Sequence, residues 1–274
     1  MPAIIAHRLG RAYGPDSSRQ ALRRSLSQPL DGLETDCCLT ADGQLVLLHD
    51  PLLALGTTTS GWAHERTAAQ IVGGRLLDHH GQPTIEPPML LDELLELVPA
   101  DVILQLEIKA HGDPALAVRT AHAVCERLED HPARSRCEIL SFWSAACEQA
   151  TALGFPSRLV MIAEYRIDAM RAWARRVGVH GICVGHFLLS TPLVESLRQT
   201  GLSVSTGTVN HPDTLATLLP MNLDAITSDQ PHELRAALAQ PRTAARDETN
   251  RKAIMPRELV SSADAGEMGD TSRP

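Results

Sequence analysis

The strongest constraint in this chain is a strand–helix alternation that repeats eight times. Short apolar runs centred on Ile4, Leu33, Val102, Ile139, Val160, Ile182, Val204 and Ala225 are each followed by a helical segment, or by an insertion that contains one. Such alternation predicts a parallel sheet, because each helix carries the chain back to start the next strand in the same direction. Eight units predict closure into an α/β fold of the (β/α)8 TIM-barrel type, with an open doubly wound sheet as the alternative. The 274 residues suffice for one large α/β domain, and a hydrophobic content of 43% can fill its core. Aromatics make up only 3%, so that core must be Leu, Val, Ile and Ala.

Local signals give the elements. Strands are expected at 3–6, from Gly32, and at 102–106, 137–140, 158–163, 181–184, 202–205 and 223–226. Helices are expected at 67–72, 90–98, 114–129, 144–153, 167–177, 192–200, 212–218 and 231–239. Another should be capped by Ser17 or Ser18 and run to about Ser27, with Ala21, Leu22 and Leu26 on its buried face. The strand at 158–163 is expected to end at Glu164. After about Gln240 the apolar pattern collapses. The expected organisation is a barrel domain at 1–240 and a largely disordered tail at 241–274, with room for a short helix around 257–260.

One stretch departs from the simple repeat. Gly-Leu-Glu-Thr-Asp at 32–36 reads as a strand, in which Glu34 and Asp36 share a face. Two adjacent carboxylates repel unless a cation or a shared proton lies between them. Asp42-Gly43 then reads as a hairpin turn. Leu45–Leu48 returns as an extra strand outside the barrel count and delivers His49-Asp50. A hairpin-bearing insertion after strand two is therefore expected.

Composition narrows the partners. The net charge is −8, with no long basic cluster and few aromatics, which argues against nucleic acid. Six cysteines contain no Cys-x-x-Cys pair and read as small buried hydrophobes, with Cys37 and Cys38 one in and one out. The start of the chain lacks the pattern of a signal peptide, and no apolar run reaches membrane-spanning length. A cytoplasmic protein with a small-molecule partner is expected, and the oligomeric state is left open. The His79-His80 pair, in a Gly- and Pro-rich stretch at 73–88, reads as an exposed loop rather than a metal site.

In a barrel, functional groups gather at the C-terminal ends of the strands. Those ends carry His7-Arg8, Glu34 and Asp36, and Glu107 with Lys109, while the hairpin adds His49. Three carboxylates suit a hard divalent cation, Mg²⁺ or Ca²⁺. Arg8 and Lys109 suit a phosphate. Two histidines suit acid–base work near neutrality. Together they describe metal-assisted cleavage of a phosphodiester.

At this point the sequence resembles the glycerophosphodiester phosphodiesterase family. Ala6-His7-Arg8 is similar to its opening His-Arg-Gly motif, and Pro15-Asp16-Ser17-Ser18 stands in place of its Pro-Glu-Asn-Thr. Glu34-Thr35-Asp36, Asp42-Gly43 and His49-Asp50 resemble its Glu-x-Asp, Asp-Gly and His-Asp block, and Glu107-Ile108-Lys109 its Glu-x-Lys. Ser141-Phe142, Thr208-Val209-Asn210 and 227–231 are similar to later signatures, so the likeness spans about 3–239 in order. The resemblance implies a divalent metal on Glu34, Asp36 and Glu107. It implies His7 and His49 as the catalytic acid–base pair, with Arg8 and Lys109 on the phosphate. The implied reaction converts a glycerophosphodiester and water into glycerol 3-phosphate and an alcohol. Leu9 stands where the family has glycine, and Gly207 where it usually has tryptophan. The loop at 55–58 lacks the arginine usual before its threonine pair. These departures leave open a phosphodiester with another headgroup, such as a lysophospholipid, or a non-catalytic barrel that binds phosphate and metal. A Mg²⁺-dependent enolising enzyme with Lys109 as base is a weaker third possibility, since it has no use for the His49 hairpin.

Overall fold

The computed structural model describes residues 1–163 and 166–239. Nine strands form one sheet: β1 (Ala3–Ala6), β2 (Gly32–Leu39), β3 (Leu45–Leu47), β4 (Ile103–Ile108), β5 (Cys137–Ser141), β6 (Ser157–Met161), β7 (Gly181–Gly185), β8 (Ser203–Gly207) and β9 (Ala225–Ser228). Eight of them are parallel neighbours in chain order. β1 pairs with both β2 and β9, which closes the barrel. β3 lies outside it, antiparallel to β2, with Cys37 opposite Leu47 and Leu39 opposite Leu45. The barrel and its additional hairpin strand are thus as expected, and the open doubly wound sheet is excluded.

The helices are α1 (Arg19–Ser25), α2 (Ala68–Val72), α3 (Leu91–Leu97), α4 (Pro114–Leu128), α5 (Ser144–Ala152), α6 (Ile167–Val177), α7 (Thr191–Arg198), α8 (Pro212–Leu218) and α9 (Pro231–Ala239). Their starts follow from residue chemistry. Ser18, not Ser17, caps α1 by accepting from the Ala21 N–H at 3.1 Å. Thr67 and Gln70 form a reciprocal capping box on α2. Proline, which lacks the N–H a first turn leaves unpaired, opens α4, α7 and α8.

Alternation along the strands sorts side chains into two layers. Ile182, Val184, Val204 and Ile226 face outward and pack on Met170, Ala174, Val194 and Leu197 of the helices. On the other side of the barrel Leu33, Leu104, Leu106 and Ile139 pack on Ala117, Ala121, Val124 and Ala146. Inside, Leu140, Val160 and Cys183 form a small apolar plug. Below it, near the strand starts, Glu138 and Arg158 form a buried ion pair. The guanidinium donates to Glu138 at 3.0 and 3.1 Å and to Ser203 Oγ at 3.1 Å. Gln105 Nε2 donates to Glu138 at 2.9 Å, and His180 Nδ1 lies 2.6 Å from it.

Several strands begin and end one or two residues later than the apolar pattern predicts. β8 runs on through Thr206-Gly207 and β9 through Thr227-Ser228. The pattern stops early there because inward residues at a barrel mouth are polar or small. Cys37 and Cys38 do face opposite sides, but both are buried: Cys37 lies in the outer core with Leu33, and the insertion covers Cys38, beyond Asp36 on the other face of β2, with Val46, Leu48, Leu53 and Ile71. Glu164 and the tail at 241–274 lie outside the described residues.

Candidate active site

Immediately after β1 the chain makes a tight turn in which Arg8, Leu9 and Gly10 have φ of 48°, 63° and 100°. Left-handed backbone costs an L-residue about 1–2 kcal/mol, so this turn needs compensation. Leu9 is fully buried in the outer core with Ala21 and Leu22. The Arg8 N–H donates to Glu34 Oε2 at 2.9 Å. Gly10 cannot be larger, since a Cβ there would stand 2.1 Å from Ser25 Oγ. Strained backbone of this kind gathers where side-chain position matters more than local comfort.

β2 and β4 supply the carboxylates. Asp36 sits beside Glu107 in the strand register, and Glu34 lies one step below on the same face. One oxygen from each of Glu34, Asp36 and Glu107 lies within 4.8 Å of the others. Lys109 Nζ reaches Glu107 at 2.7 Å and Asp36 at 3.1 Å. The Arg8 guanidinium pairs with Asp16, and its Nε stands 3.8 Å from Asp36. Burial, aided by the charges of Asp36 and Glu107, pushes Glu34 up to about 8. Burial also raises Glu107, against the pull of Lys109. For Asp36 burial acts upward too, but Lys109, His49 and Arg8 outweigh it and hold the carboxyl low. Asp36 Oδ2 is buried without a hydrogen-bond partner. Three hard oxygen donors, one of them with an unused atom, are crowded so closely that burial and mutual repulsion raise two of the carboxyls, a strain that a bound cation would relieve. That donor set fits a divalent cation.

The histidines flank this cluster. His7 Nδ1 lies 2.7 Å from Asp229 Oδ1, at the end of β9. Asp229 is itself clamped by Asn210, whose Nδ2 donates to it at 2.7 Å and whose Oδ1 accepts its backbone N–H at 2.9 Å. Burial would lower the His7 pKa, but the Asp229 hydrogen bond and the charge of Glu34 win, and it is raised. His49 follows β3, with Nδ1 3.1 Å from Asp50 but not aligned for a hydrogen bond. Burial lowers its pKa, with Lys109 and Arg8 adding to the effect against Asp36. Trp62 of the insertion stacks on His111 beyond β4, with ring centroids 3.7 Å apart, which fastens the insertion to the barrel near Lys109. A cavity of about 240 Å³ between them is lined by Arg8, Arg11, Asp16, His49, Asp78 and His79. A larger hollow of about 720 Å³, between the hairpin turn and α3 and α4, contains none of these groups.

All seven residues singled out from the sequence therefore meet at one end of the barrel, and His79-His80 lies in an exposed loop as expected. Asp229 had no role assigned to it. The signal was present, since it shares inward parity with Thr227 at the end of the last strand.

The chain matches the model of the "Glycerophosphoryl diester phosphodiesterase family" over residues 7–233. It is 23% identical over 238 residues to the glycerophosphodiester phosphodiesterase of Caldanaerobacter subterraneus, covering 84% of this chain and 95% of that one. Among solved structures it is similar to an Oleispira antarctica phosphodiesterase in complex with the product sn-glycerol-3-phosphate. The TM-score is 0.77 at 23% identity, over 88% and 98% of the two chains. The glycerophosphodiester phosphodiesterase of Thermotoga maritima gives a TM-score of 0.72 at 20% identity, over 87% and 98%. The chain thus belongs to the glycerophosphoryl diester phosphodiesterase family and is an enzyme of the phosphoric diester hydrolase class.

Proposed function

We propose that this enzyme hydrolyses glycerophosphodiesters to glycerol 3-phosphate and an alcohol, using a divalent metal ion and His7 and His49 as acid and base. The observation that carries this reading is the convergence of Glu34, Asp36 and Glu107 within 4.8 Å, next to Lys109 and between two histidines. Glu34, Asp36 and Glu107 would hold a hard cation, Mg²⁺ or Ca²⁺. When bound, such an ion polarises phosphoryl oxygens and offsets the charge that develops on them. Lys109 and Arg8 bind the non-bridging oxygens, the first as a point charge and the second through its planar fork.

The two histidines divide the proton work. With Nδ1 engaged by Asp229, His7 has Nε2 for the substrate. Its raised pKa suits it to donate to the departing alcohol oxygen. The lowered pKa of His49 suits it to take the proton of the attacking hydroxyl. That hydroxyl belongs either to water or to the neighbouring carbon of the glycerol. The second route gives a cyclic phosphate, which water opens with the two histidines in exchanged roles. The glycerol 3-phosphate held by the Oleispira antarctica relative supports this product. The same reading makes the protein a cytoplasmic enzyme of small-molecule diesters; among the described residues no helix is long and apolar enough to cross a membrane. The test is release of glycerol 3-phosphate from a panel of glycerophosphodiesters, with and without chelator, for wild type and His49→Ala. Metal-dependent release that disappears in the variant is expected. Undiminished turnover by His49→Ala would refute the assignment.

A further inference from the structure

The barrel mouth is divided into two unlike halves. On β9, β1, β2 and β4 the inward positions that reach the mouth are Asp229, His7, Asp36 and Lys109, with Cys38 above Asp36 sealed under the insertion. On β5 to β8 they are Phe142, Ile162, Gly185 and Gly207, two residues beyond the interior Leu140, Val160, Cys183 and Ser205. The two glycines are paired neighbours, so at β7 and β8 this level of the mouth carries no side chain. A Cβ on Gly207 would stand 3.0 Å from Thr227 Cβ, which confirms that the position looks inward. Phe187 uses the space at Gly185: its ring atoms lie 3.0 Å from where a Cβ would be. Yet Phe187 is 66% exposed, Ile162 54% and Phe142 39%.

Single exposed apolar residues need no explanation, but these three follow the successive neighbouring strands β5, β6 and β7 and so lie along one arc of the mouth. The arc begins at the charged centre. Lys109 Nζ, bound to Glu107 and Asp36, lies 5.7 Å from the Phe142 ring centroid. Size decides what it fits. Three such side chains offer roughly 300 Å² at these exposures, whereas a stable protein interface needs about 800 Å² from each partner. An alkyl chain needs no more than the arc provides. A diester whose phosphate rests on Lys109 would lay one ester arm toward the charged cavity under the insertion and the other along Phe142, Ile162 and Phe187.

We propose that this arc holds the apolar arm of the substrate, so that the preferred substrates are phosphodiesters bearing one acyl or alkyl chain. The proposal rests on the hydrolytic reading above and names its substrate class. The test compares glycerophosphocholine with 1-acyl-glycerophosphocholines of increasing chain length, all below their micelle concentrations, with choline release as the common readout. kcat/KM should rise by up to about fourfold per buried methylene until the arc is covered. Phe187→Ser and Ile162→Asn, both at exposed positions, should flatten that rise at least tenfold overall, in proteins that melt at the wild-type temperature. Turnover of glycerophosphocholine without any gain from the chain would overturn the proposal. So would a gain that survives both substitutions, or one that appears only above the micelle concentration. No turnover of any member would sink the hydrolytic reading, and this proposal with it.

Discussion

Replacing Glu138 by Gln should destabilise the barrel by about 3 kcal/mol at neutral pH and erase part of its acid sensitivity. Glu138 and Arg158 are 7% and 3% exposed, so neither charge has water to fall back on. Burial alone would raise the Glu138 pKa, but the His180 hydrogen bond and the Arg158 charge lower it from 4.5 to about 2. At about 1.4 kcal/mol per pKa unit, that fall corresponds to roughly 3 kcal/mol. Breaking one side of a buried pair costs about 3–5 kcal/mol in other proteins, which agrees. The sign is that of a depressed carboxylate: the stabilisation is complete above about pH 4.5 and is lost as pH falls toward 2. Urea unfolding of wild type and Glu138→Gln at pH 7, and then stepwise down to pH 3, reads both effects. The double variant Glu138→Gln, Arg158→Met should regain much of the loss, since no unpaired buried cation remains. A single variant within 1 kcal/mol of wild type at pH 7, with an unchanged acid limb, would refute the argument.

Lys109→Met should lower kcat by about a hundredfold, through loss of a charge on the phosphate, while calorimetry finds divalent-ion binding retained or tighter. The pH profile of kcat/KM should be a bell. Its acid limb lies below the usual histidine value, because His49 must lose its proton, and its alkaline limb lies above it, because His7 must keep one. Asp229→Asn should move the alkaline limb to lower pH and leave the acid limb in place. Mg²⁺ or Ca²⁺ at a hundredfold excess over its dissociation constant should stabilise the fold by about 2.7 kcal/mol, or roughly 5–10 °C in melting temperature, and Glu107→Gln should remove most of that shift. Leu9→Gly should cost up to about 4 kcal/mol in urea unfolding. It relieves about 1–2 kcal/mol of left-handed strain but empties a packed site worth about 2–5 kcal/mol.

The barrel was legible because its signal is redundant: eight apolar runs at regular intervals leave few ways to fold. The acidic cluster was legible because strand parity brings Glu34 with Asp36, and Glu107 with Lys109, before any long-range contact is known. Two features were not. Glu138 lies within the expected strand at 137–140 and Arg158 opens the one at 158–163, and nothing local says that adjacent strands will set them side by side. Asp229 lies 222 residues from the histidine it holds, and only barrel closure brings them together.

The His7–Asp229 contact also has a consequence for the order in which a nascent chain becomes competent. The carboxylates and Lys109 are all present once β4 has left the ribosome. His7, the first of the seven to be synthesised, has no partner until the final strand arrives. About 120 residues separate Lys109 from Asp229, which at the usual rate of synthesis is roughly 6–24 s. During that interval β1 also lacks one of its two neighbours, so its hydrogen-bonding edge is open to other chains. A premature stop between β4 and β9 would therefore leave all three clustered carboxylates in place, and yet yield a protein with an unclosed sheet and a misdirected histidine.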